Sequence, residues 1–499
     1  MRARRLISQV ASTAGVNVWL AALGLYTTPI VLKGLGNEPY GVFALVSLVS
    51  AHLSNLELGF GQATIRYLAR AHGAGARREA SEILNTSFAV FVAAAFVAGL
   101  SFWVGTPFLV DRVFAIPLAL RSSAQIVFHL GAWILACSFL STLFSAAMQA
   151  LGAFAWLNGS RFVFGTLASL GSVWVVRQGG GLNQIFVLQT IIATSSCLVL
   201  GGLVSWERRE LLIPLVSFAR LKEMAGFSAI VFAAGLAYQL MINGPASVLA
   251  MWVPVGEIPR FSIPLAILQK MIMMMTAASA AFFPFAAAAS LEKDRPRLAD
   301  VFRSHLRLTA LLFGPVVAFL CIFSFQLLRI WIGVDFAADA TPPLRALAFA
   351  ALALALSGPP ADVARGLGHP RWVLAYTLAV AVAGLAFAWW WVPTAGALGA
   401  ASAMAASFTI GVAPLLWMVG NRLLGLRARD FASDGAGVVV AVVLAAALFG
   451  LCRWLIEEPV ASVTSCGVGG LIYLVAVDRW VLREKERNAF RRAFRASEL

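Results

Sequence analysis

Apolar runs long enough to cross a bilayer recur along almost the whole chain, and that recurrence limits the fold more than any motif does. A hydrocarbon core of about 30 Å needs roughly 20 consecutive apolar residues in a helix. Such runs fall at 10–32, 40–62, 83–106, 124–145, 157–176, 184–205, 225–249, 259–284, 308–328, 344–358, 371–392, 397–420, 435–452 and 461–478. The tenth is short, closed by Gly358-Pro359-Pro360, unless it starts at Ala340 or continues past the prolines. In lipid each backbone polar group must bond within its own segment, so the runs predict helices. Hydrophobic residues make up 60% of the 499 and charged residues 12%, with a mean hydropathy of +0.85. Soluble domains carry about 25% charge. The expected fold class is therefore all-α, a polytopic membrane protein of about 14 transmembrane helices. Met1–Val10 is basic and enters a long apolar run with no small-x-small cleavage pattern, as a retained first helix does.

Charge sets the expected orientation. When the 38 Lys and Arg are sorted by alternate loops, 29 fall on the side of both termini and eight on the other, with Lys270 left inside a helix. The positive-inside rule then places both termini in the cytoplasm and requires an even number of crossings. The net charge of +15 follows the same loops and tails, which suits anionic membrane lipid, and nucleic acid is not an expected partner. The tail 479–499 reads either as a basic amphipathic helix on the inner leaflet or as a simple positive anchor. Cys137, Cys197, Cys321, Cys452 and Cys466 stand singly without CxxC spacing, so neither a disulfide framework nor a zinc site is expected.

An internal repeat divides the chain. Leu151-Gly152 with Trp156 and Leu367-Gly368 with Trp372 share Leu-Gly-x-x-x-Trp at a separation of 216 residues. Gly36-Asn-Glu-Pro-Tyr40 and Gly256-Glu-Ile-Pro-Arg-Phe261 match more loosely in equivalent loops. Six helices, an even number, separate the copies, so the halves enter the membrane the same way up. The expected domains are an N-terminal lobe of six helices (1–219), a C-terminal lobe of six (220–430), two extra helices (431–478) and the cytoplasmic tail (479–499).

Polar groups mark a path through these rods. On a helix at 100° per residue, His52, Asn55, Gly59, Gln62 and Arg66 fall in one sector of Gly41–Arg70. A charged group at the bilayer centre costs roughly 2.5–3.5 kcal/mol on insertion scales, so such a seam is expected to face protein or a wet cavity. Glu57 projects off the seam and is a candidate for ion coupling, as is His52, whose imidazole titrates near neutral pH. Lys270 lies too deep in its helix to snorkel and is read as a cavity cation. Asn17, the pair Gln125 and His129, and the pair Gln239 and Asn243 add inward polar groups. Arg66 and Arg161 serve either as topology arginines or as planar donors to an anionic headgroup. The chain carries no HExxH, DxD, P-loop or GxSxG constellation, so no enzyme chemistry and no cofactor are expected.

LKGLGNEPYGVFAL at 32–45, LELGFGQATIRYLA at 56–69 and LRIWIGVDFAADATPPLRALAF at 328–349 resemble segments of Wzx-type polysaccharide flippases, in the multidrug/oligosaccharidyl-lipid/polysaccharide exporter superfamily. Glu57 stands where that family often has Asp, and Arg66 matches its motif arginine. The resemblance implies fourteen helices and alternating access of two lobes around a cationic cavity in the bacterial inner membrane. The implied substrate is a polyprenyl-pyrophosphate-linked oligosaccharide, with a polysaccharide polymerase and chain-length regulator as further partners. A drug antiporter of the same superfamily would want acidic groups in the cavity. A polymerase would want a larger external loop than the short ones here, and a scaffold in polysaccharide assembly stays open.

Overall fold

The computed structural model describes residues 2–207, 216–273, 295–456 and 458–477, and the regular structure within them is helical. In chain order these are α1 (Arg2–Leu35), α2 (Asn37–Leu53), α3 (Phe60–Gly73), α4 (Arg77–Phe108), α5 (Leu118–Ala150), α6 (Phe154–Arg177), α7 (Leu182–Glu207) and α8 (Phe218–Trp252). There follow α9 (259–273), then α10 (Arg295–Trp331), α11 (Val334–Gly366), α12 (Pro370–Trp417), α13 (Ala428–Leu455) and α14 (Pro459–Ala476). The basic tail at 479–499 and the second half of the helix expected at 259–284 lie outside the described residues.

Among the described residues, 11 helical stretches are long and apolar enough to cross a membrane. α12 holds two of the expected rods, parted at Gly396, whose φ of 52° and ψ of −127° no α-helix contains. With α12 counted twice and α9 and α14 added, the rods number fourteen, and the chain is an all-α polytopic membrane protein. Their outer faces leave large apolar side chains uncovered, among them Phe96, Trp174 and Trp390. In water these would be a liability, whereas hydrocarbon accepts them.

Two expectations about single rods are corrected. The tenth expected helix, 344–358, is part of α11, which starts at Val334 and passes through Pro342, Pro343, Pro359 and Pro360. An interior proline costs about 3 kcal/mol in an isolated helix. Here the surroundings offset it: Ala350, Ala351, Ala353 and Ala355 are buried, so α10 and α12 pack closely along α11. The second expected helix, 40–62, is not one rod. It ends as α2 at Leu53, and α3 begins at Phe60 after a break, so the five seam residues do not share one helix face.

The chain forms two compact units, Met1–Pro259 and Arg260–Leu499. In the first, α1, α6 and α7 share a cluster of Val31, Val173, Val175 and Ile185. α8 packs against α2, α3 and α4 within this unit, although the repeat groups it with the helices that follow. In the second, α10, α13 and α14 close around Leu311, Phe323, Ala445, Phe449 and Tyr473, whose hydroxyl donates to the Leu311 carbonyl at 2.8 Å.

Candidate functional site

The break after α2 shapes the first unit's polar interior. The Ser54 backbone N–H donates to the carbonyls of Ser50 and His52, and the chain tightens into a single 3-10 turn, Ser54–Glu57. Leu58 (φ 55°) and Gly59 (φ 73°) then take left-handed backbone. That conformation costs a non-glycine residue about 1–2 kcal/mol, so Leu58 is held there by its surroundings. Gly59 has a further reason to lack a side chain: a Cβ there would lie 2.7 Å from the Ser228 carbonyl oxygen and 2.9 Å from Val231 Cβ, both on α8.

Beside the break lies a cavity of about 230 Å³ lined by Ser54, Asn55, Glu57, Ser138, Phe139 and Thr142. The Glu57 carboxylate is half-buried and has no hydrogen-bond or ion-pair partner among the described residues. Room for it comes from Gly61, where a Cβ would approach Glu57 Oε2 to 3.4 Å. The neighbouring donors are already committed to helix carbonyls. Ser54 Oγ donates to Ala51 at 2.8 Å, Ser138 Oγ to Leu135 at 2.7 Å and Thr142 Oγ1 to Ser138 at 2.9 Å. Asn55 Nδ2 lies 3.4 Å from both the Ala51 and His52 carbonyls. What these groups turn outward is oxygen lone pairs.

A second polar strip runs between α2 and α8. His52 Nδ1 lies 2.9 Å from the Leu48 carbonyl, which places the proton on that nitrogen, and Nε2 lies 3.3 Å from Ser247 Oγ. Ser247 Oγ also reaches the Asn243 carbonyl at 3.1 Å. Gln239 is one turn further back, its Nε2 buried without a hydrogen-bond partner among the described residues, and Gly235 beyond it sits close to Asn55 Oδ1. His52, Asn55, Gln239 and Asn243, expected as inward polar groups, are thus brought together along one helix pair.

Past the break the character changes. Gln62 and Arg66 are exposed one turn apart on α3, and the Arg66 guanidinium lies 4.8 Å from the Phe227 ring centroid and 5.7 Å from that of Tyr67. One turn on, Arg70 Nη2 pairs with Glu79 at 3.2 Å and Glu223 at 3.0 Å. Arg220 adds Glu223 at 2.8 Å, Glu79 at 3.3 Å and Glu82 at 3.4 Å, tying α8 to α3 and α4. The hydrogen bonds that Arg70 donates to Glu223 and Glu79 hold the pKa of its guanidinium above the ordinary value.

The other expected site residues lie elsewhere. His129 on α5 stacks on Trp103 of α4, ring centroids 4.1 Å apart. Asn17 on α1 is half-buried and Arg161 on α6 is exposed. Lys270 on α9 is half-buried in the second unit and makes no ion pair among the described residues. Ser54, Ser138 and Thr142 escaped the sequence reading, although Ser138 and Thr142 share the four-residue spacing that singled out Gln125 and His129.

The second unit holds a groove of about 350 Å³ between α10, α11, α12 and α13. Its lining is apolar, from Leu306 to Val443, except for Arg303 and Arg307, one turn apart on α10. The arginine end lies where Phe302 meets Phe431, ring centroids 6.3 Å apart, and the far end where Gly314 takes Val442. Arg303 and Gly314 stand eleven positions apart on α10, roughly 16 Å of helix.

No protein-family model matches the chain. EpsK of Bacillus subtilis (strain 168), described as an uncharacterized membrane protein, is 26% identical over 125 residues, which is 25% of this chain and 25% of that one. The match therefore spans about a quarter of the relative's length. Among solved structures, the lipid II flippase MurJ in an inward closed conformation is similar at a TM-score of 0.73 and 13% identity, over 93% of this chain and 97% of that one. An inward-facing multidrug resistance transporter of the MATE family in the MOP superfamily is similar at 0.70 and 16% identity, over 80% of this chain and 94% of the other. The chain has the fold of these transporters.

Proposed function

We propose that the protein is a flippase that carries a polyprenyl-pyrophosphate-linked oligosaccharide from the cytoplasmic to the periplasmic leaflet of a bacterial inner membrane. The observation that carries this reading is the groove of about 350 Å³, apolar along its length, with Arg303 and Arg307 among its lining residues at one end. An isoprenoid chain matches its walls and a pyrophosphate matches Arg303 and Arg307, since guanidinium forks pair well with phosphate oxygens. The likeness to MurJ supports the same class of cargo.

In this reading two lobes of six helices, 1–219 and 220–430, alternate in access while the lipid tail stays in the bilayer. Moving the sugar head through hydrocarbon unaided would strand polar groups without partners, at several kcal/mol each. Arg66, Arg161 and Lys270, with His52, Asn55 and Gln62 of the expected seam and with Gln239, Asn243, Asn17 and His129, are the proposed headgroup contacts. The charge sorting of the loops supports cytoplasmic termini, and a polysaccharide polymerase and chain-length regulator are the partners this chemistry calls for.

The test is reconstitution in vesicles with a fluorescent lipid-linked oligosaccharide and, separately, a cationic dye. Arg303→Gln with Arg307→Gln is expected to slow glycolipid translocation about tenfold or more, since each lost charge-assisted bond is worth roughly 1.5–3 kcal/mol. Dye transport with no glycolipid movement would instead identify a drug antiporter.

A further inference from the structure

We propose that the groove of the second unit has a second phosphate-binding end, made by Arg345 of α11 and Arg453 of α13, so that one apolar lane holds a polyprenyl phosphate or pyrophosphate lipid with its head at either end. Three features of the second unit lead there.

The first is where the two arginines stand. α13 lends the groove a wall that includes Gly435, Val439 and Val442. Arg453 follows Gly435 by eighteen positions, which at 3.6 residues per turn is five full turns, so it returns to the sector of that wall. On α11 the wall is Leu352 and Leu356, and Arg345 precedes them by seven and eleven positions, close to two and three turns. Phe349, 56% exposed, continues the same face between Leu352 and Arg345. Both arginines are themselves exposed. The two apolar walls thus run on past the groove, and each reaches a guanidinium.

The second is how these guanidinium groups are held. Arg345 Nε donates to Ser324 Oγ at 3.0 Å, and Arg453 Nη1 donates to the Ile322 carbonyl at 2.9 Å. Ile322 and Ser324 are two positions apart on α10, so α11 and α13 each bring a cation to the same level of that helix. An arginine has five N–H donors; each of these spends one on α10 and none on a carboxylate among the described residues. A planar donor fixed by one bond, with the rest of its fork unspent, suits phosphate oxygens. Charge sorting does not account for the pair either, since both belong to the eight Lys and Arg that fall on the side away from the termini, where the positive-inside rule asks for few.

The third is spacing. From Arg303 to Ile322 α10 runs nineteen positions, roughly 28 Å, and from Gly435 to Arg453 α13 runs eighteen, roughly 27 Å. A hydrocarbon core is about 30 Å thick. The two cationic ends are therefore as far apart as the phosphate levels of two leaflets, with apolar wall between them. A lipid whose head has crossed lays its tail back along the lane that held it before, and substrate and product share one groove.

The use of this second end rests on the flippase reading; its existence does not, so the experiment reads occupancy and not transport. The probe is a polyprenyl phosphate with a diazirine beside the phosphate, photolysed with the full-length protein in nanodiscs, and mass spectrometry locates the labelled residues. Two labelled zones are expected in the wild type, one around Arg303 and Arg307 and one around Ile322 and Ser324. Arg345→Gln with Arg453→Gln should lower labelling of the second zone about tenfold or more, as the loss of charge-assisted bonds implies, and leave the first zone unchanged. First-zone labelling in the same sample reports that the variant is folded; where the double change abolishes both zones, Arg345→Gln and Arg453→Gln singly decide, each expected to lower the second zone about threefold or more. Labelling of the first zone alone, or a second zone indifferent to these substitutions, overturns the proposal. Displacement of second-zone label by inorganic pyrophosphate or by phosphatidylglycerol as readily as by unlabelled polyprenyl phosphate overturns it too, because a site for any phosphate makes no use of the lane. Two zones with no glycolipid translocation in vesicles leave the second end standing and remove the flippase reading, whereas translocation with the first zone alone does the reverse.

Discussion

Gly59 combines two demands that can be separated by comparison with Gly75. Both have positive φ, 73° and 69°, but a Cβ on Gly75 would meet nothing within 4 Å, whereas one on Gly59 would press on Ser228 and Val231. Gly75→Ala should therefore cost only the backbone term, about 1 kcal/mol, and Gly59→Ala clearly more, about 2–4 kcal/mol with the contact added. Thermal unfolding of the purified protein in detergent measures the difference, and equal losses would mean that α8 does not press on the break. At this scale much of the chemistry was legible and its geometry was not. His52, Asn55, Gln239 and Asn243 stand out in the sequence because lipid tolerates few polar side chains, and they do meet along one helix pair. Projection on one ideal helix nevertheless put Glu57 off the seam and Gln62 on it, because it assumed 100° per residue across a stretch that contains a 3-10 turn and two left-handed residues. A helical wheel cannot represent a rod that stops, so Asn55 and Glu57 share a cavity that the projection had separated. Ser138 and Thr142 were missed because hydroxyls in a membrane helix usually bond back to their own backbone, as both do here; what distinguishes them is the carboxylate opposite.

Between elements, the ionic cluster joins the start of α8 to the end of α3 and the start of α4. Arg220 is the centre, with three carboxylate partners, and its side chain is 27% exposed against 58% for Arg70. Single solvent-exposed pairs are worth about 0.2–1 kcal/mol, so three on one guanidinium at partial burial sum to roughly 1–2 kcal/mol. Arg220→Gln should accordingly speed amide hydrogen exchange in the first turns of α8 by about tenfold while the middle of α5 stays protected, and added salt should reproduce part of that change in the wild type. Unchanged exchange in α8 would show that its docking rests on Tyr67, Phe227 and their packing alone. The rods themselves were legible because length and hydropathy are enough to predict a membrane crossing. Their ends were less so, since proline and glycine obey different rules in the membrane. Four prolines fail to stop α11, which is packed on both sides, while Gly396 alone interrupts α12 through its backbone angles.

Across the whole molecule, the question raised by fourteen rods is why two follow the repeated set. α13 gives an answer: Gly435, Val438, Val439, Val442 and Val443 form one wall of the groove whose other walls come from α10, α11 and α12. Without that wall the groove would be an open face of α10. α14 fastens the arrangement, since Tyr473 bonds the Leu311 carbonyl and packs in the cluster that holds α13 on α10. The added helices thus make a groove from what would otherwise be an open surface, and on the proposed reading that groove takes the lipid tail. A bulky side chain on that wall should obstruct the tail without touching the headgroup path. Val439 lines the groove and is 62% exposed, while Val440, 58% exposed, does not line it. Val439→Trp is expected to slow translocation of a long-chain polyprenyl substrate about tenfold or more. The indole would take up space that the tail's methylenes otherwise fill, and about 1.4 kcal/mol of lost packing contact is enough for that loss. Val440→Trp, the same change one residue away, should leave the rate unaltered, and neither should lower the thermal unfolding temperature by more than a few degrees. A short-chain analogue carrying the same sugar head should be far less sensitive to Val439→Trp, because its tail does not extend along the valines. Equal inhibition of both chain lengths, or by both substitutions, would show that the groove does not hold the tail and would return the two added helices to a purely structural role.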